Sequence, residues 1–200
     1  MDYRYIGKDI PVNDAKAKAS GQLRYAADLR LPGMLYMKLF LSPVAHGMVR
    51  SLDVSQALAL PGVVKVLSYE NTPDVHYNRG RVRATEQAPD QETLFTRHVR
   101  FVGDRIAAVV AETPEIAQRA VQLIRADIEP LPPIFDPEQA LAEDARSIHE
   151  KDGVVRLPLV GYGDYASAQG EEFCHHTSSQ RVSHIAMETH CAVADYTPAS

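Results

Sequence analysis

The side chains best suited to chemistry crowd into the last third of the chain: His175, His176, His184, Glu188, His190 and Cys191 form its one ligand-rich stretch. His184 and Glu188 are four apart, a spacing that on a helix puts both on one face and, with a third donor, suits zinc. The stretch is not an H-E-x-x-H motif, and its small and β-branched residues favour a strand. On a strand, residues an even number apart share a face, so His184, Glu188 and His190 still converge. Buried, hydrogen-bonded polar residues are the plainer expectation for all of them, and a small zinc protein built on His184, Glu188 and His190 is the alternative. Cys191 as a nucleophile needs a neighbouring base and a lowered pKa. His190 points to the opposite face of a strand, so Cys191 is expected to be a small core thiol.

Gly161-Tyr-Gly163-Asp-Tyr-Ala166 matches G-x-G-x-x-A, in which glycines let a backbone approach a pyrophosphate at a helix N-terminus. Its context fails. A proline, Pro158, lies in the preceding strand, Gly170 interrupts the would-be helix, and no acidic residue ends a second strand at the required distance. A plain turn is expected there. The carboxylate pairs Glu143-Asp144 and Glu171-Glu172 read as solvated charge, because adjacent side chains diverge. Arg79, Arg81 and Arg83 surround Gly80 in a polar stretch from Asn71 to Glu92, expected to be a long exposed loop with a partner contact as the minor reading. No G-x-S-x-G, Walker A or C-x-x-C motif occurs. Residue chemistry therefore assigns no catalytic, cofactor-binding or metal-binding residue.

The frame that must position these groups is globular. The 200 residues are 45% hydrophobic and 24% charged, enough to bury a core and far from a disordered composition. A net charge of −5 argues against nucleic acid or anionic membrane as a partner. The longest apolar run, Ile106 to Ala111, is far short of the ~20 residues that span a bilayer. The first residues, Met1-Asp-Tyr-Arg-Tyr-Ile, lack the apolar core of a signal peptide. Two cysteines, Cys174 and Cys191, cannot build a disulfide framework. A cytoplasmic, reducing location is the expectation.

Local signals place the elements. An extended arm is expected to about Asp28, then a turn at Leu31-Pro-Gly-Met34 and a strand from Leu35 to Leu41 ended by Ser42-Pro43. Val49 to Asp53 reads as a strand, and Asp53 or Ser55 can cap a helical turn from Val54 to Leu60 that Pro61-Gly62 stops. Val63 to Leu67 is strand-like. Ile106 to Ala111 is a strand followed by a helix with Thr113 as N-cap and Pro114 at its first position. Ile116, Ala117, Ala120, Val121 and Ile124 form one helical face. Arg125 to Glu129 returns as a strand, in a parallel crossover or an antiparallel arrangement. Asp136-Pro-Glu-Gln139 resembles a capping box opening a short helix to about Ala142. Residues 143–153 read as a linker. Strand-like pieces follow at Val154 to Val160, Glu172 to Thr177, Arg181 to Ile185 and Ala192 to Tyr196.

A series of short segments, in order, carries a family resemblance. Lys18-Ala-Ser-Gly21 with Tyr25-Ala-Ala-Asp28, Pro32-Gly-Met-Leu35 and Leu41-Ser-Pro-Val-Ala-His46 come first. Asp53 to Leu58 with Leu60-Pro-Gly-Val63, and Val99-Arg-Phe-Val-Gly103 with Ala107 to Ala111, follow. Ile128-Glu-Pro-Leu-Pro132 and Val182-Ser-His-Ile-Ala-Met-Glu188 complete the series. Together they resemble the N-terminal part of the molybdopterin-binding subunit of the xanthine dehydrogenase and aldehyde oxidase family, the molybdenum hydroxylases.

That resemblance implies an α+β fold: an α/β hammerhead, a mixed sheet with short helices, over residues 21–142. An N-terminal arm (1–20) precedes it, and the linker and the incomplete start of a molybdopterin-binding domain (154–200) follow. It implies a structural portion of an oxidoreductase subunit that hydroxylates a purine, aldehyde or N-heterocycle with oxygen from water. The molybdopterin would be held by the remainder of that subunit, and FAD and 2Fe–2S centres by partner domains or subunits. The family's glycine-rich segment beside the cofactor and its glutamate base have no counterpart here, Thr189 stands where proline is common, and the stretch from Gly163 to His184 is short. The chain by itself is thus expected to be inactive. A stand-alone binding or assembly module of hammerhead fold is the alternative, and self-association through exposed strands after Val154 is expected of the isolated chain.

Overall fold

The computed structural model describes residues 3–77, 92–142, 148, 164, 167, 169–186 and 188–196. The chain divides into two compact units, Met34–Asp164 and the pair of segments Met1–Gly33 and Tyr165–Ser200.

Met34–Asp164 holds two three-stranded sheets. In the first, β1 (Tyr36–Leu41) and β3 (Val63–Ser68) flank β5 (Arg105–Ala111). In the second, β4 (His98–Val99) and β6 (Arg125–Pro130) flank β2 (Gly47–Asp53). Every pair is antiparallel. The strand–helix–strand run from β5 through α3 (Pro114–Leu123) to β6 therefore changes sheets, which settles the choice left open by the sequence. It is not a parallel crossover.

Local chemistry explains the elements. Ile106 to Val109 are completely buried, so β5 is the central strand whose apolar run needs no polar face. Thr113 caps α3 by accepting from the Ile116 amide at 3.2 Å, and Pro114 occupies the first turn, where its missing amide costs nothing. Ala117 and Ala120 let the helix approach the sheet closely, while Ile124 seals its C-terminal end. Asp53 accepts from the Ser55 amide at 2.9 Å and starts α2 (Ser55–Leu58). Gly62 then turns the chain into β3 with φ +86°, and a Cβ there would lie 2.6 Å from Ile116 Cδ1. Asp136 accepts from the Glu138 amide at the start of α4 (Pro137–Leu141), without the returning bond from Gln139 that a full box requires.

Two apolar clusters result. Ala57, Val66, Ala107, Val109, Ala120 and Ile124 fill the space between the first sheet and its helices. Val49, Val99 and Ile106 form the other. Phe40 and Leu52 pack against both.

Met1–Gly33 is not simply extended. Ala15–Ala19 forms α1 and Ala26–Asp28 a single 3-10 turn. Three alanines favour the helix, and Asp14 pairs with Lys18 at 2.7 Å, four residues on. The strands expected at Glu172 to Thr177, Arg181 to Ile185 and Ala192 to Tyr196 are absent: these residues carry no ladder and are exposed. Their β-branched content signals a fit to a half-buried pleated surface, and no such surface receives them. Ile185 has φ +40°, which a strand cannot accommodate. The expected strand at Val154 to Val160 and nearly all of the expected linker lie outside the described residues.

Candidate functional site

The structure assigns new surroundings to the sequence candidates. His175, His176, His184, Glu188 and His190 are exposed, so they are not the buried polar residues expected. Among the described residues no three His, Cys, Asp or Glu side chains gather where a metal ion could be held. Cys191 is exposed too, which corrects its reading as a core thiol, and Cys174 is likewise free and exposed. The common cause is the missing strands: without a ladder there is neither a shared face nor an interior. Glu171 and Glu172 are exposed, as solvated charges should be. The Arg79, Arg81 and Arg83 stretch, Glu143-Asp144, and the G-x-G-x-x-A segment apart from Asp164 lie outside the described residues.

The polar constellation that the fold does assemble lies elsewhere, on the second sheet. Ser42 opens a tight turn in which its Oγ accepts from the Val44 amide at 3.1 Å and donates to the Val44 carbonyl at 2.9 Å. The turn's backbone is anchored to Gly103 and Asp104 by two 2.8 Å bonds, and it delivers His46 to the start of β2. Pairing of Met48 with His98 brings the second imidazole alongside. His46 Nε2 and His98 Nε2 are 2.9 Å apart, with ring centroids 5.1 Å apart and planes inclined by 25°. His46 Nδ1 lies 2.8 Å from the Pro132 carbonyl.

The proton positions follow from that carbonyl. It can only accept, so His46 Nδ1 carries a hydrogen. In the neutral ring the Nε2 lone pair of His46 then accepts from His98 Nε2–H. With both nitrogens engaged, His46 clasps the entry of β2 to the chain that leaves β6, and the Leu131 amide donating to the His46 carbonyl at 2.9 Å reinforces this. The arrangement positions backbone.

A second polar cluster closes the stretch that begins at Asn71. Tyr77 and Glu92 exchange two backbone hydrogen bonds of 2.8 and 3.0 Å. The Arg105 guanidinium reaches the Tyr77 hydroxyl at 2.8 Å, the Thr93 carbonyl at 3.2 Å and the Glu92 carboxylate at 3.4 Å. Asp104, 8% exposed, accepts from the amides of Arg100 and Arg105. In the sequence His46 stands out only as the end of the Leu41 to His46 segment, and His98 belongs to no motif. The two are 52 residues apart, and nothing in local pattern joins them.

With this geometry in view, comparison with known proteins gives a consistent result. Residues 20–132 match the family model described as aldehyde oxidase and xanthine dehydrogenase, a/b hammerhead domain. The chain belongs to that family. It is 41% identical over 150 residues to the probable hypoxanthine oxidase XdhD of Escherichia coli, a match covering 75% of this chain and 16% of the relative. It is 35% identical over 198 residues to the nicotinate dehydrogenase large molybdopterin subunit of Eubacterium barkeri, covering 98% of this chain and 45% of that subunit. Among solved structures, quinoline 2-oxidoreductase from Pseudomonas putida matches with a TM-score of 0.60 and 36% identity over 70% of this chain and 18% of its own. The aldehyde oxidoreductase of Desulfovibrio desulfuricans matches with a TM-score of 0.65 and 28% identity over 74% of this chain and 17% of its own. The chain thus spans about a sixth of the length of the first of these relatives and under half of the second.

Proposed function

We propose that this chain is the hammerhead portion of a molybdopterin-dependent hydroxylase subunit, supplying packing and positioning and none of the reacting groups. The observation that carries the reading is the match of residues 20–132 to the hammerhead family model. It comes with 39% identity to the xanthine dehydrogenase molybdenum-binding subunit of Escherichia coli, of which the chain covers 21%. The chemistry would be hydroxylation of a purine, aldehyde or N-heterocycle with oxygen from water, with molybdopterin held by the remainder of the subunit. Flavin and iron–sulfur groups in partner domains or subunits would carry the electrons away.

The side chains described here do not fit a molybdenum donor set. His46 has one nitrogen on the Pro132 carbonyl and the other on His98, and among the described residues no three His, Cys, Asp or Glu side chains gather where a metal ion could be held. What the chain's residues do is hold two sheets in register beside whatever binds the cofactor. No helix among the described residues is long and apolar enough to cross a membrane.

The test is the mass of the native polypeptide, read by immunoblot with an antibody raised against this segment, with molybdenum measured in the same species. A polypeptide several times larger than 22.1 kDa that carries molybdenum is expected. A single species near 22 kDa would refute the reading and leave the stand-alone assembly module.

A further inference from the structure

The two faces of the first sheet are covered unequally. Directly opposite residues of paired strands share a face, so Lys38, Val109 and Val66 form one row and Phe40, Ala107 and Ser68 the next. Val66, Ala107 and Val109 of these rows pack with Ala57 of α2 and with Ala120 of α3. The other face consists of the rows Met37–Val110–Lys65 and Leu39–Ala108–Leu67. All of these side chains are apolar except Lys65, which stands at the β3 rim and has a stem long enough to keep its ammonium in water. Ala108 is enclosed, and Val110 and Leu67 are half-buried. Met37 and Leu39, however, are 57% and 40% exposed. The rows stop at the bulge between Phe40 and Leu41.

We propose that the remainder of the subunit, the polypeptide outside these 200 residues, covers this face with an apolar surface of its own. The inference rests on the reading of the chain as one portion of a longer subunit. Length and area choose this occupant. The chain amounts to 16% and 45% of the two relatives named above, and its fold is matched inside solved chains of which the match covers 18% and 17%. Most of such a polypeptide lies outside this domain and is tethered to it. A tethered surface meets the face at an effective concentration on the order of millimolar, whereas a separate molecule must lose its translational freedom to reach it. The patch is also small. Two rows across three strands spaced about 4.8 Å apart present roughly a few hundred Å² at most. A stable interface between separate molecules needs roughly 1,200 Å²; contact within one polypeptide has no such threshold.

The test compares the full-length subunit with the 200-residue chain, each carrying Leu39→Cys, by the rate at which a maleimide modifies residue 39, read peptide by peptide in mass spectrometry. Residue 39 should react at least about tenfold more slowly in the subunit, where only a local opening exposes it. Lys38→Cys, one residue away on the helix-bearing face, should react at similar rates in both. Leu39→Lys gives a second readout. It should leave the melting temperature of the 200-residue chain unchanged, as exposed substitutions do, and lower that of the subunit, where it forces a charge into an apolar contact. Equal rates at residue 39, a residue 38 slowed as much as residue 39, or a melting shift as large in the 200-residue chain as in the subunit would each overturn the proposal. Native mass and molybdenum content of the same preparation separate it from the reading beneath it. A species near 22 kDa ends both. A longer, molybdenum-bearing subunit whose residue 39 reacts freely overturns the covering of this face and leaves that reading standing.

Discussion

Replacing Gly47 by alanine is the most demanding test of how the second sheet is closed. Gly47 begins β2 and is flanked by Val99 of β4 and Pro130 of β6. A Cβ built on it lies 2.8 Å from the Glu129 carbonyl oxygen and 2.9 Å from Ile128 Cγ2. A carbon and a carbonyl oxygen in contact normally stand about 3.3–3.6 Å apart, so β6 must retreat by roughly half an ångström. The first obstacle is backbone, which cannot rotate aside. Overpacking of this kind costs about 1–3 kcal/mol, and at about 4–8 °C per kcal/mol in a small domain the melting temperature should fall by roughly 5–20 °C. The retreat also pulls Leu131 and Pro132 from His46, so the His46 Nδ1 proton should exchange faster with solvent. Urea unfolding followed by circular dichroism gives the free energy, and Gly170→Ala, where an added Cβ meets nothing within 4 Å, is the control. If Gly47→Ala unfolds within about 0.5 kcal/mol of the parent, the range typical of innocuous surface changes, then β2 and β6 are not as close as described.

Three further outcomes are expected. Thr113→Ala should cost about 1 kcal/mol of stability in urea unfolding while Thr113→Ser costs little, since only the hydroxyl acceptor for the Ile116 amide is at stake; equal losses would point to the methyl group instead. Hydrogen bonding from Ser55, with Arg125 adding charge, holds the Asp53 carboxyl below its ordinary value of 3.8. A depressed folded-state pKa means the stabilisation is present above the unfolded value and lost as pH falls through the folded one. Melting temperature in acid should therefore drop less steeply for Asp53→Asn than for the parent, and identical slopes would show that this carboxylate is not the group responsible. Nitrogen-15 spectra at neutral pH should show His46 as the Nδ1–H tautomer, and the His98→Ala variant should retain it because the Pro132 carbonyl fixes it; an Nε2–H tautomer in the parent would contradict the clasp.

What was legible in the sequence is what local chemistry controls. Thr113-Pro114, the alanine face of α3, the stop at Pro61-Gly62 and the apolar run of β5 each act within a turn or two of the chain, and each lies where its signal placed it. The family resemblance was legible for the same reason, as short segments in order. Pairing was not, because β5 finds β1 and β3 while β6 finds β2 through contacts separated by tens of residues. β4 has two residues and no periodicity to read. The strands expected between 172 and 196 failed from the opposite cause, since a β-branched stretch states a preference that only a partner strand can satisfy. His46 and His98 fell between these cases: both imidazoles are plain in the sequence, and their meeting depends on one register.

Phe40 and Leu52, which touch both apolar clusters, bear on how the hammerhead comes apart. Neither cluster is large; among the described residues one has only Val49, Val99 and Ile106 as its fully enclosed members. Each relies on side chains it shares with its neighbour, so loosening one sheet strips contacts from the other. Met34–Asp164 should consequently lose structure in one cooperative step, with the slowest-exchanging amides of both sheets reporting a common opening energy. A cut between the sheets would yield no half that keeps its shape, and the smallest separable piece of this fold is the whole of it.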